Sequence, residues 1–92
     1  KMSDVAFKCR ELLSEEGIDI LSQIDFKING KIKTVTFEYI IDTFMMASHE
    51  SQLIFLAALQ KSINSKDGDI EKFFEGMGQL FLMTHLSKNI EV

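Results

Sequence analysis

The chain has 92 residues, 46% of them hydrophobic and 26% charged, with no proline and one cysteine. That length predicts one domain over 1-92, and that composition excludes disordered, collagen-like and proline-rich recognition chains. Ten basic against fourteen acidic residues leave a net charge of -4, which disfavours unaided binding to a nucleic-acid backbone or an anionic membrane.

Val5, Cys9, Leu12, Leu13 and Glu16 fall on one helical face, and Gly17 follows as a C′ stop. The spacing predicts a first amphipathic helix over about 3-16, capped by Ser3 or Asp4. Beyond Gly17 the apolar positions Ile18, Ile20, Ile24, Phe26 and Ile28 switch to a period of two, and Asn29-Gly30 is a strong hairpin signal. A β-hairpin is therefore expected over about 18-35. Its register has two solutions. A two-residue turn puts Phe26 and Ile28 on the face of Lys31 and Lys33, whereas a three-residue loop of 29-31 pairs Ile28 with Ile32. The hydrophobic pattern favours the longer loop.

Thr36 is placed to cap a second helix, about 36-47, in which Phe37, Ile40, Ile41, Phe44 and Met45 form a complete core-facing stripe. Ser48 can cap a third, about 49-64, with Glu50 favourable in its first turn and Phe55, Leu56, Leu59 and Ile63 on one side. Asn64-Ser65-Lys66-Asp67-Gly68 reads as a turn, after which Asp69 caps a fourth helix, about 69-88. That helix carries Ile70, Phe73, Phe74, Met77, Leu80, Phe81 and Thr84 on one face. Residues 89-92 are expected to fray. The predicted fold is α+β and predominantly helical, four helices with one hairpin between the first and second.

Catalytic chemistry is hard to place on this chain. A covalent mechanism needs a nucleophile with a base in reach, and the only candidates are Cys9 with His49 or His85. Cys9 falls on the apolar stripe of the first helix, where cysteine acts as a small hydrophobe. Zinc wants about four ligands in tight local pairs, which one cysteine and two distant histidines do not supply. Glu15-Glu16, Asp67, Asp69 and Glu71 sit at helix ends and turns and read as caps and solvated charge. A calcium loop fails on spacing, because placing Gly68 at the sixth position puts Phe74 where the twelfth requires glutamate. No glycine turn joins a strand to a helix as a phosphate cradle requires. Catalytic residues, metal and cofactors are all read as none, and the chain as non-enzymatic. Gly76 and Gly78 each cost a helix about 1 kcal/mol relative to alanine, which points to the close approach of a neighbouring helix, with a kink or a ligand contact as alternatives.

The anomaly is apolar surplus. From Val35 to Ser65 the charges are Glu38, Asp42, Glu50 and Lys61 alone. Off the core stripes lie Phe7, Tyr39, Met46, Leu53, Ile54, Leu82, Met83 and Leu86, more than a core of this size can hide. Contiguous exposed apolar patches mark interfaces. Met45, Met46, Met77 and Met83 add the adaptable surface that suits varied partners. The expected function is a small acidic protein-interaction module, homodimeric, acting as adaptor, chaperone-like binder or inhibitor of a larger protein. The dimer face is expected through Tyr39, Met46, Ile54 and Leu82.

The alternative is a DNA-associated regulator that uses 37-47 and 51-64 as a helix-turn-helix. Its recognition helix has one basic residue, Lys61, so nucleic acid is disfavoured. Lys27, Lys31 and Lys33 form the basic cluster, and strand edges carry lysine to block aggregation. Cysteine usage points to a reducing compartment, and the cytoplasm is expected. Lys1 to Val5 lack a signal peptide's apolar core, so export by that route is not expected. The apolar run Leu53-Leu59 is far short of the roughly 20 residues that span a bilayer, so no membrane partner is expected. Small acidic accessory proteins of this kind are common among bacterial and phage products, an association by size and composition alone.

Overall fold

The computed structural model describes residues 3–79 and gives an α+β, mostly helical fold. In order they are α1 (Asp4–Glu15), β1 (Gln23–Ile28), β2 (Lys31–Thr36), α2 (Phe37–Phe44), α3 (His49–Asn64) and a fourth helix, α4, from 70 to 79. The two strands form one antiparallel hairpin between α1 and α2. The predicted stretch 80–88 of the last helix, with Leu80, Phe81 and Thr84, lies outside the described residues.

Each helix starts where a short polar side chain can take an orphan backbone donor. Ser3 Oγ accepts from the Ala6 N–H at 3.1 Å, Thr36 Oγ1 from Tyr39 at 3.0 Å and Ser48 Oγ from Ser51 at 3.2 Å. Asp69 Oδ1 accepts from the Lys72 N–H in the first turn of α4. Gly17, at φ 69°, closes α1 in a Schellman motif: its N–H bonds to Ser14 O and that of Ile18 to Leu13 O.

Residues 18–22, expected to begin the hairpin, are a connecting loop instead. Their backbone groups are committed elsewhere. The Ile20 and Ser22 carbonyls accept from the Glu38 and Phe37 N–H groups at the start of α2, and the Leu21 N–H bonds to Asp19 Oδ1. Ile18 and Ile20 still pack against the core.

The register also corrects the expectation. Ile28 pairs with Lys31, Phe26 with Lys33 and Ile24 with Val35 across a two-residue Asn29-Gly30 turn, and Ile32 lies opposite Lys27 rather than Ile28. Asn29 at φ 53° and Gly30 at φ 79° adopt the doubly left-handed conformation of a type I′ turn, whose twist matches the strands. Turn geometry therefore prevails over the chance to pair two isoleucines, and Ile32 is left 72% exposed. Ile24, Phe26 and Val35 share the buried face.

A shorter α2 is the third difference, with its last helical residue at Phe44 rather than near Ala47. The Met46 and Ala47 N–H groups bond three residues back, to Thr43 and Phe44, so the helix tightens as it ends. Gln52 then reaches back from α3 and donates through Nε2 to the Met45 and Ala47 carbonyls.

The core is a contiguous cluster fed by every element. Val5, Cys9 and Leu13 come from α1, Phe37, Ile40, Ile41 and Phe44 from α2, Phe55 and Leu59 from α3, and Phe74 from α4. Five phenylalanines interlock where α2, α3 and α4 meet. Phe37 stacks on Phe74 with centroids 4.3 Å apart, Phe44 lies 4.4 Å from Phe55, and Phe73 and Phe74 meet edge to face. The two glycines of α4 have different reasons for being glycine. A Cβ on Gly78 falls 2.6 Å from Phe26 Cζ and 3.0 Å from Ile40 Cδ1, so the hairpin and α2 press directly on the helix backbone. Gly76 has no such neighbour.

Candidate interaction surface

With the core stripes turned inward, the opposite faces of α1, α2 and α3 meet solvent, and this is where the surplus apolar residues lie. Phe7, Tyr39, Met46, Leu53 and Ile54 are all exposed, Met46 to 78% and Phe7 to 60%. Leu82, Met83 and Leu86 lie outside the described residues, as does His85.

The exposed set is organised by how the helices pack. Ser3, Phe7 and Arg10 share one flank of α1 by i, i+4, i+7 spacing. Ser3 Oγ touches Met45 Sδ, while Arg10 reaches Glu38 and Asp42, so α1 runs antiparallel along α2. Phe7 therefore borders the α1–α2 seam between those contacts. Tyr39 lies on the outer side of α2, and Met46 follows in the turn beyond its end. Leu53, Ile54 and Ala57 form a second stripe on the solvent side of α3, and Met46 sits at the corner just before the Ser48 cap.

Two exposed apolar side chains escaped the sequence reading, Leu21 and Ile32. The Asn-Gly dipeptide was the available signal for Ile32, because a type I′ turn forces it outward. The methionine expectation needs correction as well. Met45 and Met77 pack against the core, leaving Met46 as the exposed methionine of the described residues. The α2 and α4 stripes demand those volumes inside.

Arg10 is the main charged feature of the seam. Its Nη1 donates to Glu38 Oε2 at 2.9 Å and its Nη2 to Asp42 Oδ1 at 3.2 Å, and the Glu38 bond is the main cause that pushes its pKa further up. Nothing local in the sequence announces this clamp, whose partners lie 28 and 32 positions away. The Nε atom is buried without a hydrogen-bond partner among the described residues. Arg10 also borders an open cleft of about 460 Å³ with Ser14, Gly17, Ile18 and Asp19. Asp19 in that lining accepts from the Leu21 N–H, and among the described residues no hydrogen bond joins it to Ser14 as an activated nucleophile would need.

A second cleft, about 390 Å³, lies at the α3–α4 turn between Lys61, Ser62, Asp67, Asp69 and Lys72. It mixes charges of both signs, and Asp69 is occupied as a cap. Gly68 is needed there, since a Cβ would fall onto the Ser62 carbonyl oxygen.

Cys9 is fully buried on α1, and burial pushes its thiol up to about 11, so it stays protonated and unreactive at neutral pH. His49 opens α3 on the exposed side. Among the described residues, no group of three His, Cys, Asp or Glu is placed to hold a metal ion, and no helix is long and apolar enough to cross a membrane. The outward face of α3 presents Glu50, Leu53, Ile54, Ala57, Gln60 and Lys61. One cation on such a face gives little purchase on phosphates. The chain matches no protein-family model, no curated protein and no solved structure.

Proposed function

We propose that this protein is a non-enzymatic interaction module of the cytoplasm, a homodimer that also binds a larger protein as adaptor, chaperone-like binder or inhibitor. The observation carrying this reading is that Phe7, Tyr39, Met46, Leu53 and Ile54 stand exposed on α1 to α3 above a core already filled by other residues. Single exposed hydrophobes are ordinary. Here they recur on neighbouring elements around the α1–α2 seam and the α2–α3 corner, as a docking face requires. A small core without disulfide or metal support also gains from association, and closed two-fold dimers are its commonest form. The charge-poor outer face of α3 disfavours the DNA-regulator alternative.

The reading is tested by introducing opposite charges into the face with Met46→Glu and Ile54→Lys. Both positions are exposed, so folding should survive, as circular dichroism can verify. The double variant is expected to sediment as a monomer where the parent is a dimer. A variant that keeps the parent's mass and stability places the interface elsewhere.

A further inference from the structure

The hairpin offers a second surface, independent of the apolar face above. With a two-residue turn, Ile28–Lys31, Phe26–Lys33 and Ile24–Val35 are the hydrogen-bonded pairs of the ladder. The N–H and C=O groups of Ile32 and Thr34 therefore point away from β1, and among the described residues nothing bonds to them. Open edges of this kind accept an added strand.

The side chains decide which strand. β2 carries Lys31 and Lys33 and no acid, and Lys27 stands opposite Ile32 on the other face. All three are exposed and make no ion pair among the described residues, in a chain whose net charge is -4. On the β1 edge, by contrast, Asp25 is present and accepts from the Thr34 hydroxyl. A second copy is a poor occupant of the β2 edge. Pairing Ile32 with Thr34 of that copy sets Lys33 against the partner's Lys33 at the closest cross-strand spacing, which is destabilising.

We infer that the β2 edge takes up an extended acidic segment of a partner protein as a third, antiparallel or parallel strand. The Ile32 and Thr34 backbone groups supply the ladder, Lys31 and Lys33 read carboxylates on one face, and exposed Ile32 meets an apolar side chain of the incoming strand on the other. Acidic side chains alternating with β-branched ones fit both faces of the edge.

The probe is a synthetic peptide of about eight residues alternating valine or threonine with glutamate, titrated into the isotope-labelled full chain at low salt. Saturable binding is expected, with amide exchange slowed at Ile32 and Thr34 while Lys33 and Val35, already bonded within the hairpin, change little. A Lys31→Glu, Lys33→Glu variant should bind at least about tenfold more weakly, and a peptide with lysine in place of glutamate should not bind. Three results overturn the inference: no saturation up to about 1 mM, equal binding of the lysine peptide, or shifts that spare Ile32 and Thr34. Concentration-dependent protection of these two amides without peptide would assign the edge to a second copy and overturn it as well.

Discussion

The junction of α2, α3 and α4 and the tip of the hairpin are held by different forces. At the junction Phe37, Phe44, Phe55, Phe73 and Phe74 fill one volume, and Phe55 and Phe74 lose all contact with solvent. At the tip residues 29–34 are all exposed, and the structure rests on a backbone ladder and two left-handed residues. Volume and shape therefore govern what the junction tolerates, and backbone conformation governs the tip. The same contrast divides the two proposed surfaces. The apolar face overlies the packed body, where side chains are positioned by rigid helices, while the open β2 edge belongs to the region whose main offering is backbone.

Substitutions can test that contrast. The largest effect is expected for Phe55→Ala, which removes a ring in contact with Phe44, Phe73 and Phe74. It should cost about 3–5 kcal/mol in denaturant unfolding, whereas Ile32→Thr, equally apolar in sequence, should stay within about 0.5 kcal/mol. Gly78→Ala and Gly76→Ala, two residues apart in α4, should move stability in opposite directions. The first forces a methyl against Phe26 and Ile40 and should cost about 1–3 kcal/mol. The second gains helix propensity without a clash and should add up to about 1 kcal/mol. Equal effects would mean that α4 does not press on the hairpin at Gly78.

At the tip, Gly30→Ala strains a residue at φ 79° although a Cβ there meets nothing within 4 Å. A loss of about 1 kcal/mol is expected from backbone alone. Arg10→Met tests the partly exposed clamp to Glu38 and Asp42 and should cost no more than about 1 kcal/mol, less at high salt. At neutral pH Cys9 contributes nothing by ionisation, because the thiol is protonated in both folded and unfolded chains. Its folded value is raised from 9.0 to about 11. As pH climbs through that window the unfolded chain loses the proton first, so stability falls. Cys9→Ala should flatten that part of the pH profile measured by urea unfolding.

The helical body was the more legible half in sequence. Period-3.6 stripes placed Phe37, Ile40, Ile41 and Phe44 correctly inside, Ser3, Thr36, Ser48 and Asp69 began their helices, and the bounds of α3 fell at 49 and 64 as expected. Local rules suffice there because apolar spacing and a cap side chain act within one helix. They fail where two local preferences compete. In the hairpin the isoleucine pattern and the Asn-Gly turn demanded different registers, and the backbone preference won. They also fail at long range. Residues 18–22 looked strand-like until the Ile20 and Ser22 carbonyls were spent on the first turn of α2, and the Arg10 clamp joins helices that no sequence window contains. For the candidate face, the exposure of Phe7, Tyr39, Met46, Leu53 and Ile54 was legible as the complement of the core stripes. Their division into a seam and an α3 stripe follows from the antiparallel packing of α1 on α2, which spacing alone does not reveal.

The most direct test of the interaction-module account is absolute mass in solution, measured by light scattering on the unmodified chain across a dilution series. The account predicts a mass near twice 10.5 kDa that falls toward the monomer only on strong dilution. A constant monomer mass up to the highest concentration would contradict the homodimer and leave the face around Met46 and Ile54 without the occupant proposed for it.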